Sequence, residues 1–394
     1  MRVLLVNHFP LEGSGSGIYT KNIAKRLVER GHEVKAIVVD KYKNRSKDFP
    51  VKTIVNYDFP CFTTHPHSNN QFYHLTNDEM DEYLESFITA IDYEVENFKP
   101  DLIHCQHIWV APFAASKTIV PYIITAHGTD IKGFKKDKRY HHIAIKAAQN
   151  AERIITISNY INDSVKKHFP VDDNKLAKIL NGFDETIFKS MEINKARLLN
   201  KYIGEDLANK QELKIINFTG KLADFKGVDL LIKAAEVYEN ELDNVITLII
   251  GDGELRTELE KLKQKLDLSS VFFLGNVPQE TVAELFNISE ITIVPSRVEP
   301  FGLVAIESLA CGTPVIASKA GGLKDFINED VGRFFKMNDY KDLANKIIAA
   351  VNNKEKDKKG QFASEYAINN YSWERVIEEL LEVYKDIVKE GNNS

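Results

Sequence analysis

Residues 291–317, ITIVPSRVEPFGLVAIESLACGTPVIA, carry the strongest indication of the fold. The β-branched run at 291–294 predicts a buried strand, the apolar stretch after Glu299 predicts a helix, and a second strand is expected at 314–317. Because strand, helix and strand follow one another with short connections, the stretch predicts a parallel βαβ unit. Ligands of such sheets bind beyond the carboxyl ends of the strands.

The same alternation runs through the chain in two series. We expect strands at 2–6, 34–39, 102–104, 122–125, 153–157, 213–219, 245–250, 271–274, 291–294 and 314–317. We also expect a first helix over 18–30, ended by Gly31. The sequence therefore predicts an α/β protein with two Rossmann-like parallel-sheet domains, 1–190 and 191–372, facing each other across a cleft. We expect the C-terminal helix, 373–394, to pack back on the first domain.

Composition narrows the class of protein. The chain has 394 residues and a net charge of −6, which argues against nucleic acid as a partner. Its three cysteines are scattered, so we expect neither a disulfide framework nor a zinc knuckle, and a cytoplasmic location fits best. No apolar run reaches the ~18 residues that span a bilayer, so we expect any membrane contact to be peripheral, at the inner face.

A glycine-rich loop, Gly13-Ser14-Gly15-Ser16-Gly17, follows the first expected strand. Glycines allow a ligand to approach the backbone, and the following helix would present free N–H groups to an anion, so Gly15 and Gly17 are candidates for binding a phosphate or a sugar. A tight turn without a ligand is the alternative. The dinucleotide fingerprint GxGxxG is not met, which weakens the competing prediction of a nicotinamide-dependent dehydrogenase.

Two lysines, Lys221 and Lys226, stand on a loop between Gly220 and Gly227, after another expected strand. Two ammonium groups that converge at the end of a strand suit a diphosphate. The alternative is a pair of solvated lysines.

Two glutamates flank the start of the helix in the opening stretch. We expect this helix to begin near Phe301, so that the N–H groups of Phe301, Gly302 and Leu303 point at an anion. Glu307, inside the helix, could bind vicinal hydroxyls, and Glu299 could accept from sugar hydroxyls. A hydrolase would need the two carboxyls at ~5–9.5 Å around one glycosidic bond, which this placement does not favour. An N-cap acid and a surface glutamate are the remaining alternative.

A histidine, His127, follows an expected strand beside Gly128, with Asp130 as a weaker candidate on the acceptor side. A lone histidine is more often structural than catalytic, but this one stands where ligands of such sheets bind. The other histidines have no third partner at metal-ligand spacing, so we expect no metal.

Together these motifs resemble the retaining glycosyltransferases of family 4, which have the GT-B fold of two Rossmann-like domains. The resemblance rests on the E-x7-E unit from Glu299 to Glu307, the GKxxxxKG loop at 220–227 and the phrase ACGTPVIA at 310–317. It covers nearly the whole chain, because GHEV at 31–34, PDLIH at 100–104 and NGFD at 181–184 also fit.

The resemblance implies a role for each site residue. Lys221 and Lys226 would hold the donor diphosphate, Glu307 the ribose hydroxyls and Glu299 the transferred sugar. The backbone at Phe301, Gly302 and Leu303 would also meet the donor, Gly253 would lie close to the nucleotide, Val277 would meet the base, and His127 would contact the donor sugar. The implied catalytic residues are His127, Lys226 and Glu299.

The expected reaction is retaining, metal-independent transfer from a nucleotide-diphospho-sugar, with a UDP-sugar as the expected donor, by a front-face mechanism and without a further cofactor. The acceptor is left open among glycans, lipid-linked molecules and small molecules, and so is the oligomeric state. A sugar-nucleotide epimerase and a non-catalytic sugar-nucleotide-binding protein of the same fold are the alternatives. A basic stretch at 132–139 suits an anionic acceptor, a lipid surface or plain solvation.

Overall fold

The computed structural model describes residues 1–55, 58–63, 65–204, 212–352 and 356–392. Its contacts divide the chain into two units, the first comprising Met1–Asn181 with the chain from Glu374 onward, and the second Gly182–Trp373. The division falls between 181 and 182 rather than between 190 and 191. The reason is that Phe183 N donates to Tyr371 O at 3.1 Å and Phe188 packs near Phe286, both within the second unit.

The first unit contains a seven-stranded sheet of order β3-β2-β1-β4-β5-β6-β7, in which neighbouring strands are parallel. Its strands are β1 (Arg2–Val6), β2 (Glu33–Asp40), β3 (Val51–Val55), β4 (Leu102–Gln106), β5 (Tyr122–Ala126), β6 (Arg153–Thr156) and β7 (Leu176–Lys178).

The second unit contains a six-stranded parallel sheet of order β10-β9-β8-β11-β12-β13. Its strands are β8 (Lys214–Thr219), β9 (Val245–Ile250), β10 (Val271–Gly275), β11 (Ile291–Val294), β12 (Val315–Ser318) and β13 (Gly332–Phe335). Two Rossmann-like parallel sheets confirm the predicted α/β fold class.

Helices connect the strands of both sheets. They are α1 (Gly15–Glu29), α2 (Asn77–Asn97), α3 (Val110–Ala115), α4 (Thr129–Lys136), α5 (His141–Asn150), α6 (Asn159–His168), α7 (Lys195–Ile203), α8 (Val228–Tyr238), α9 (Arg256–Lys265), α10 (Gln279–Asn287), α11 (Leu303–Ala310), α12 (Tyr340–Val351), α13 (Lys356–Tyr371) and α14 (Trp373–Asn392). In the ranges described, no helix combines the length and apolar character needed to cross a bilayer.

Each sheet has a point at which the strand order reverses. In the first unit it lies between β1 and β4, and in the second between β8 and β11. The connections on the two sides of such a point leave in opposite directions, which opens a crevice at the carboxyl ends of the strands. The glycine loop at 13–17 follows β1, the lysine loop at 220–227 follows β8, and Glu299 follows β11, so three of the predicted motifs border a reversal point.

Two helix starts differ from the prediction. Helix α1 begins at Gly15, because the Ser14 hydroxyl accepts from Gly17 N at 3.1 Å and caps the helix. Helix α11 begins at Leu303 instead of near Phe301, because Gly302 is left-handed, with φ of 111°. Phe301 therefore lies before the helix, with its side chain buried near Phe326.

Candidate active site

The second unit joins Lys226 and Glu299 in an ion pair, with 2.7 Å between Nζ and Oε2. Lys226 follows β8 and Glu299 follows β11, the two strands at the reversal point of the sheet. Glu299 is only 7% exposed, and the Ser296 hydroxyl donates to the same carboxylate oxygen at 3.0 Å. The lysine side chain is 21% exposed. A partly exposed ammonium carries three N–H donors and gives one to Glu299, so it can also donate to an anion.

The loops that carry this pair are bound to each other. Arg297 N donates to Phe225 O at 2.7 Å, and the Arg297 guanidinium donates to both carboxylate oxygens of Asp229 at 2.9 and 3.0 Å. Gly227 is left-handed, and a Cβ at this position would clash with Pro295 O. Because the charged contact between Arg297 and Asp229 and a close backbone approach fix both loops, Lys226 and Glu299 are held in place before any ligand arrives.

Lys221 lies on the other side of the lysine loop, where its Nζ is 3.3 Å from Glu254 Oε2, and both side chains are well exposed. The loop after β9 packs against this segment, because Leu222 N donates to Asp252 O at 2.9 Å. A Cβ at Gly253 would clash with Leu222 O. Packing of the two loops therefore explains this glycine without a ligand, and its contact with the nucleotide stays a prediction.

A double glycine supports the segment from Glu299 to Gly302. Gly321 lies against the backbone of Glu299, because a Cβ on Gly321 would clash with Glu299 O. Gly322 lies against Phe301, because a Cβ on Gly322 would be 2.8 Å from the Phe301 Cα. Gly322 N also donates to Glu299 O at 2.9 Å. This support was not predicted from the sequence, although the double glycine follows the expected strand at 314–317 by only a few residues.

Helix α11 begins without a side-chain cap at Gly302. The N–H groups of a first helical turn have no partner within the helix, so Leu303 and the residue after it present amides at this end. Glu307, the fifth residue of the same helix, is partly exposed. Burial first, and then Asp184, raise the pKa of Glu307 to about 7.

Val277 lies on the connection between β10 and α10 and is partly exposed. Its connection and those carrying Gly253, Lys226 and Glu299 all follow strands of one parallel sheet, so they share its carboxyl edge. The second unit thus groups these four predicted donor-binding residues at one edge of its sheet. Two of them, Lys226 and Glu299, contact each other directly.

The glycine loop of the first unit contains two different kinds of glycine. A Cβ on Gly17 would clash with Pro10 O, so the loop itself requires a small residue there. A Cβ on Gly15 would meet no atom within 4 Å. Of the two predicted donor-binding glycines, only Gly15 has open space around it.

His127 follows β5 and packs under the ring of Tyr19, with 5.2 Å between ring centroids in an edge-on arrangement. Its Nε2 donates to Gln106 Oε1 at 2.9 Å, because an amide oxygen only accepts. Burial lowers the pKa of His127 to about 3, so the ring is neutral at physiological pH. A neutral imidazole that donates from Nε2 has an acceptor at Nδ1.

Asp130 is not a surface group that could meet an acceptor, which corrects the prediction. It is fully buried and accepts from Ile108 N at 2.9 Å, Gly128 N at 2.7 Å and Ile131 N at 3.0 Å. It therefore ties the connection after β4 to the connection after β5, where His127 lies. Among the residues that the structure describes, no three His, Cys, Asp or Glu side chains are grouped as ligands for a metal ion.

Comparisons with known proteins agree with this arrangement. Residues 13–186 match the model of Glycosyltransferase Family 4, and residues 203–369 match that of Glycosyl transferases group 1. A glycosyltransferase of Methanocaldococcus jannaschii, MJ1607, is 30% identical over 395 residues, with 94% of each chain covered. The chain is a glycosyltransferase of the family 4 type.

This glycosyltransferase is also 26% identical over 390 residues to the N-acetyl-alpha-D-glucosaminyl L-malate synthase of Bacillus anthracis, with 96% of each chain covered. Among solved structures, Anabaena HepE in complex with UDP matches with a TM-score of 0.78 at 20% identity, covering 98% of this chain and all of that one. The two parallel sheets and this likeness establish the GT-B fold.

Proposed function

We propose that this glycosyltransferase moves a sugar from a UDP-sugar to an acceptor hydroxyl, with retention of the anomeric configuration and without a metal ion. The observation that carries the proposal is the Lys226–Glu299 ion pair at the reversal point of the second sheet. The UDP complex of HepE, a protein of the same fold, supports uridine as the nucleotide.

Lys226 would bind the β-phosphate, and Glu299 would then accept from a hydroxyl of the donor sugar. In the absence of a donor each charge neutralises the other, so neither is left buried and unpaired. When a diphosphate takes the ammonium, the carboxylate needs a new donor, and a sugar hydroxyl supplies one. The pair therefore links recognition of the diphosphate to recognition of the sugar beside it.

The other contacts with the donor would come from residues at the same carboxyl edge of the second sheet. The uncapped amides at Gly302 and Leu303 suit phosphate oxygens, because the amino end of a helix carries partial positive charge. Phe301 would place this backbone, Lys221 would meet the diphosphate from the opposite side, and Glu307 would bind the ribose hydroxyls. Gly253 and Val277 would lie along the nucleotide.

His127 would meet the sugar through its neutral ring. A neutral imidazole with Nδ1 as acceptor can take a hydrogen bond from a hydroxyl without bringing a charge near the reacting carbon. Gly15, with open space beside it, would let the ligand approach the glycine loop closely.

In the reaction, the bond between the anomeric carbon and the β-phosphate oxygen breaks, and the acceptor oxygen attacks the same face. The departing phosphate oxygen takes the proton of the acceptor hydroxyl, so the products are the glycoside and UDP. Negative charge grows on the diphosphate as this bond breaks, so Lys226, Lys221 and the helix amides bind the transition state more strongly than the donor. These groups supply the positive charge that a metal supplies elsewhere.

The test is a panel of UDP-, GDP- and ADP-hexoses with EDTA present, assayed for release of the nucleotide diphosphate and then for transfer to acceptors. We expect slow hydrolysis of a UDP-hexose and a product with the donor's anomeric configuration. Conversion of the donor sugar without an acceptor would indicate an epimerase, binding of UDP without any turnover would indicate a non-catalytic protein, and an inverted product would refute retention.

A further inference from the structure

The C-terminal helix α14 reaches the candidate active site of the first unit through one buried tyrosine. Its apolar side chains recur every three or four residues and form one buried face, comprising Trp373, Val376, Ile377, Leu380, Tyr384 and Ile387. Tyr384 is the polar exception on this face. It is fully buried, and its hydroxyl is hydrogen-bonded to His104 Nδ1 at 2.6 Å.

His104 also contacts β5. Its second ring nitrogen, Nε2, is hydrogen-bonded to Thr125 Oγ1 at 2.7 Å, and both residues are completely buried. Burial lowers the pKa of His104 to about 3, so its ring is neutral. In a neutral ring one nitrogen donates and the other accepts, and each has a fixed partner here. The orientation of His104 is therefore set from both sides.

This contact is the first of two parallel cross-strand contacts. His104 and Gln106 are two residues apart on β4, and Thr125 and His127 are two residues apart on β5 and directly after it, so the four side chains lie on one face of the sheet. His104 contacts Thr125, and Gln106 contacts His127 at 2.9 Å. The His104–Thr125 contact, which Tyr384 of α14 reaches, is therefore the neighbour of the Gln106–His127 contact on the same face of the sheet.

Tyr19 packs against the second of these two contacts. Its ring packs edge-on against His127, with 5.2 Å between the ring centroids. Tyr19 belongs to α1, which begins at the glycine loop, so four elements of the first unit meet at this network.

We propose that Tyr384 and His104 are positioning residues of this glycosyltransferase, which hold Thr125 in place near the end of β5 and through it orient His127, two residues later on the same segment. The inference rests on the proposed function, because it assigns His127 a contact with the sugar. Neither Tyr384 nor His104 touches the substrate. The last helix of the chain thereby fixes the geometry of a residue that precedes it by more than half the sequence.

The decisive variant is Tyr384→Phe, which removes one hydroxyl from the network and keeps the ring. The matched control is Tyr122→Phe, because the Tyr122 hydroxyl is also buried in the first unit and donates to Ala147 O at the same 2.6 Å. Loss of either hydroxyl should lower the melting temperature by similar amounts. A purely structural role for Tyr384 would make the two variants equivalent in every other measurement as well.

The first readout needs no substrate. In the full chain with ¹⁵N-labelled histidine, the His127 signals are assigned by their loss in His127→Asn, and the ring nitrogen shifts report tautomer and hydrogen bonding. We expect Tyr384→Phe to move the ring signals of both His104 and His127, and Tyr122→Phe to move neither. His127 signals that stay in place in Tyr384→Phe would overturn the proposal, whether or not the enzyme turns over a UDP-sugar.

The second readout is release of UDP from UDP-glucose. A misplacement of about 1 Å can cost on the order of 100-fold in rate, so we expect kcat to fall about tenfold or more in Tyr384→Phe, with KM for the donor changed less than about twofold. A fall no larger than that of Tyr122→Phe would also overturn the proposal. If the wild-type protein releases no UDP, the proposed donor is wrong, and the histidine spectra alone then test whether Tyr384 and His104 position His127.

A second variant covers a failure of Tyr384→Phe to fold. Thr125→Val is close to isosteric and removes the partner of His104 Nε2 at the other end of the network. We expect the same movement of the His127 signals and a comparable loss of kcat. Unchanged His127 signals in this variant would contradict the proposal just as directly.

Discussion

The two units share a parallel, doubly wound architecture, yet they place opposite chemistry at the carboxyl ends of their strands. In the second unit these ends carry a charged pair, Lys226 with Glu299, and an uncapped helix start. In the first unit they carry histidines whose pKa values are lowered by removal from water, to about 3 for His127. The difference teaches that one sheet edge is suited to charge that develops during a reaction, and the other to neutral hydroxyl groups.

The largest effect should come from removing the ammonium of Lys226. In Lys226→Met we expect kcat for UDP release to fall roughly 100- to 1,000-fold, the size typical of losing one preorganised partner of transition-state charge. The matched control is Lys166→Met in the first unit, because Lys166 also pairs with a carboxylate at 2.7 Å, that of Asp173. A loss below about threefold in a folded Lys226→Met protein would remove the role of this lysine.

A smaller effect, of a different kind, should follow a change at His127. In His127→Ala we expect kcat to fall about 10- to 100-fold, because a positioned hydrogen bond to the sugar is lost. Affinity for UDP itself should stay within about twofold, since UDP has no transferred sugar. Calorimetric titration with UDP checks this, and a large loss of UDP affinity would contradict the assignment of His127 to the sugar.

The glycine loop provides a comparison within the first unit. Gly17→Ala should destabilise the protein by about 1–3 kcal/mol, because its Cβ clashes with the backbone at Pro10 O. Gly15→Ala should change the free energy of unfolding by less than about 1 kcal/mol, since its Cβ meets open space and alanine favours the helix. Denaturant unfolding measures both.

If a ligand approaches Gly15 closely, Gly15→Ala will lower turnover of the UDP-sugar despite its intact stability. Turnover equal to that of the wild-type protein would show that this glycine is not part of a donor site.

The smallest effect should be a pH dependence. The pKa of Glu307 is raised to about 7 by burial and Asp184, so its carboxyl gains a proton as the pH falls through 7. A protonated carboxyl accepts less well from ribose hydroxyls, so affinity for UDP should weaken by at most about tenfold per pH unit below 7. In Glu307→Gln the part of this dependence that Glu307 contributes should be lost, which leaves only the titration of the β-phosphate, whose second pKa is about 6. His127, with its pKa near 3, should add no step between pH 5 and 9.

Local sequence was enough to predict the fold class, because short apolar strands, helices and turn glycines follow one another at regular spacing. It missed three strands, β3 (Val51–Val55), β7 (Leu176–Lys178) and β13 (Gly332–Phe335). The first two are edge strands without a buried residue and so form no buried apolar run, and β13 has only four residues. It also placed the start of α11 too early, because the left-handed Gly302 packs so closely against Leu323 that a Cβ would clash there, and Leu323 comes later in the chain.

The candidate site was predictable in its residue types but not in its supports. Lys226 and Glu299 stand out because charged residues follow strands between glycines. Arg297 gives no such signal, since its partner Asp229 is distant in sequence and only the fold brings them to 2.9 Å. The same holds for Tyr384 and His104, which are 280 residues apart. Side chains that hold a site in place need the tertiary structure to be recognised.

The most direct measurement compares the affinities of UDP and UMP in the wild-type protein and in Lys226→Met. The two nucleotides differ only in the β-phosphate, and a charge-assisted hydrogen bond contributes about 1.5–3 kcal/mol. The account predicts that wild-type protein binds UDP roughly 10- to 100-fold more tightly than UMP, and that most of this preference disappears in Lys226→Met. An unchanged preference in that variant would contradict the assignment of the diphosphate to the second unit's Lys226–Glu299 pair.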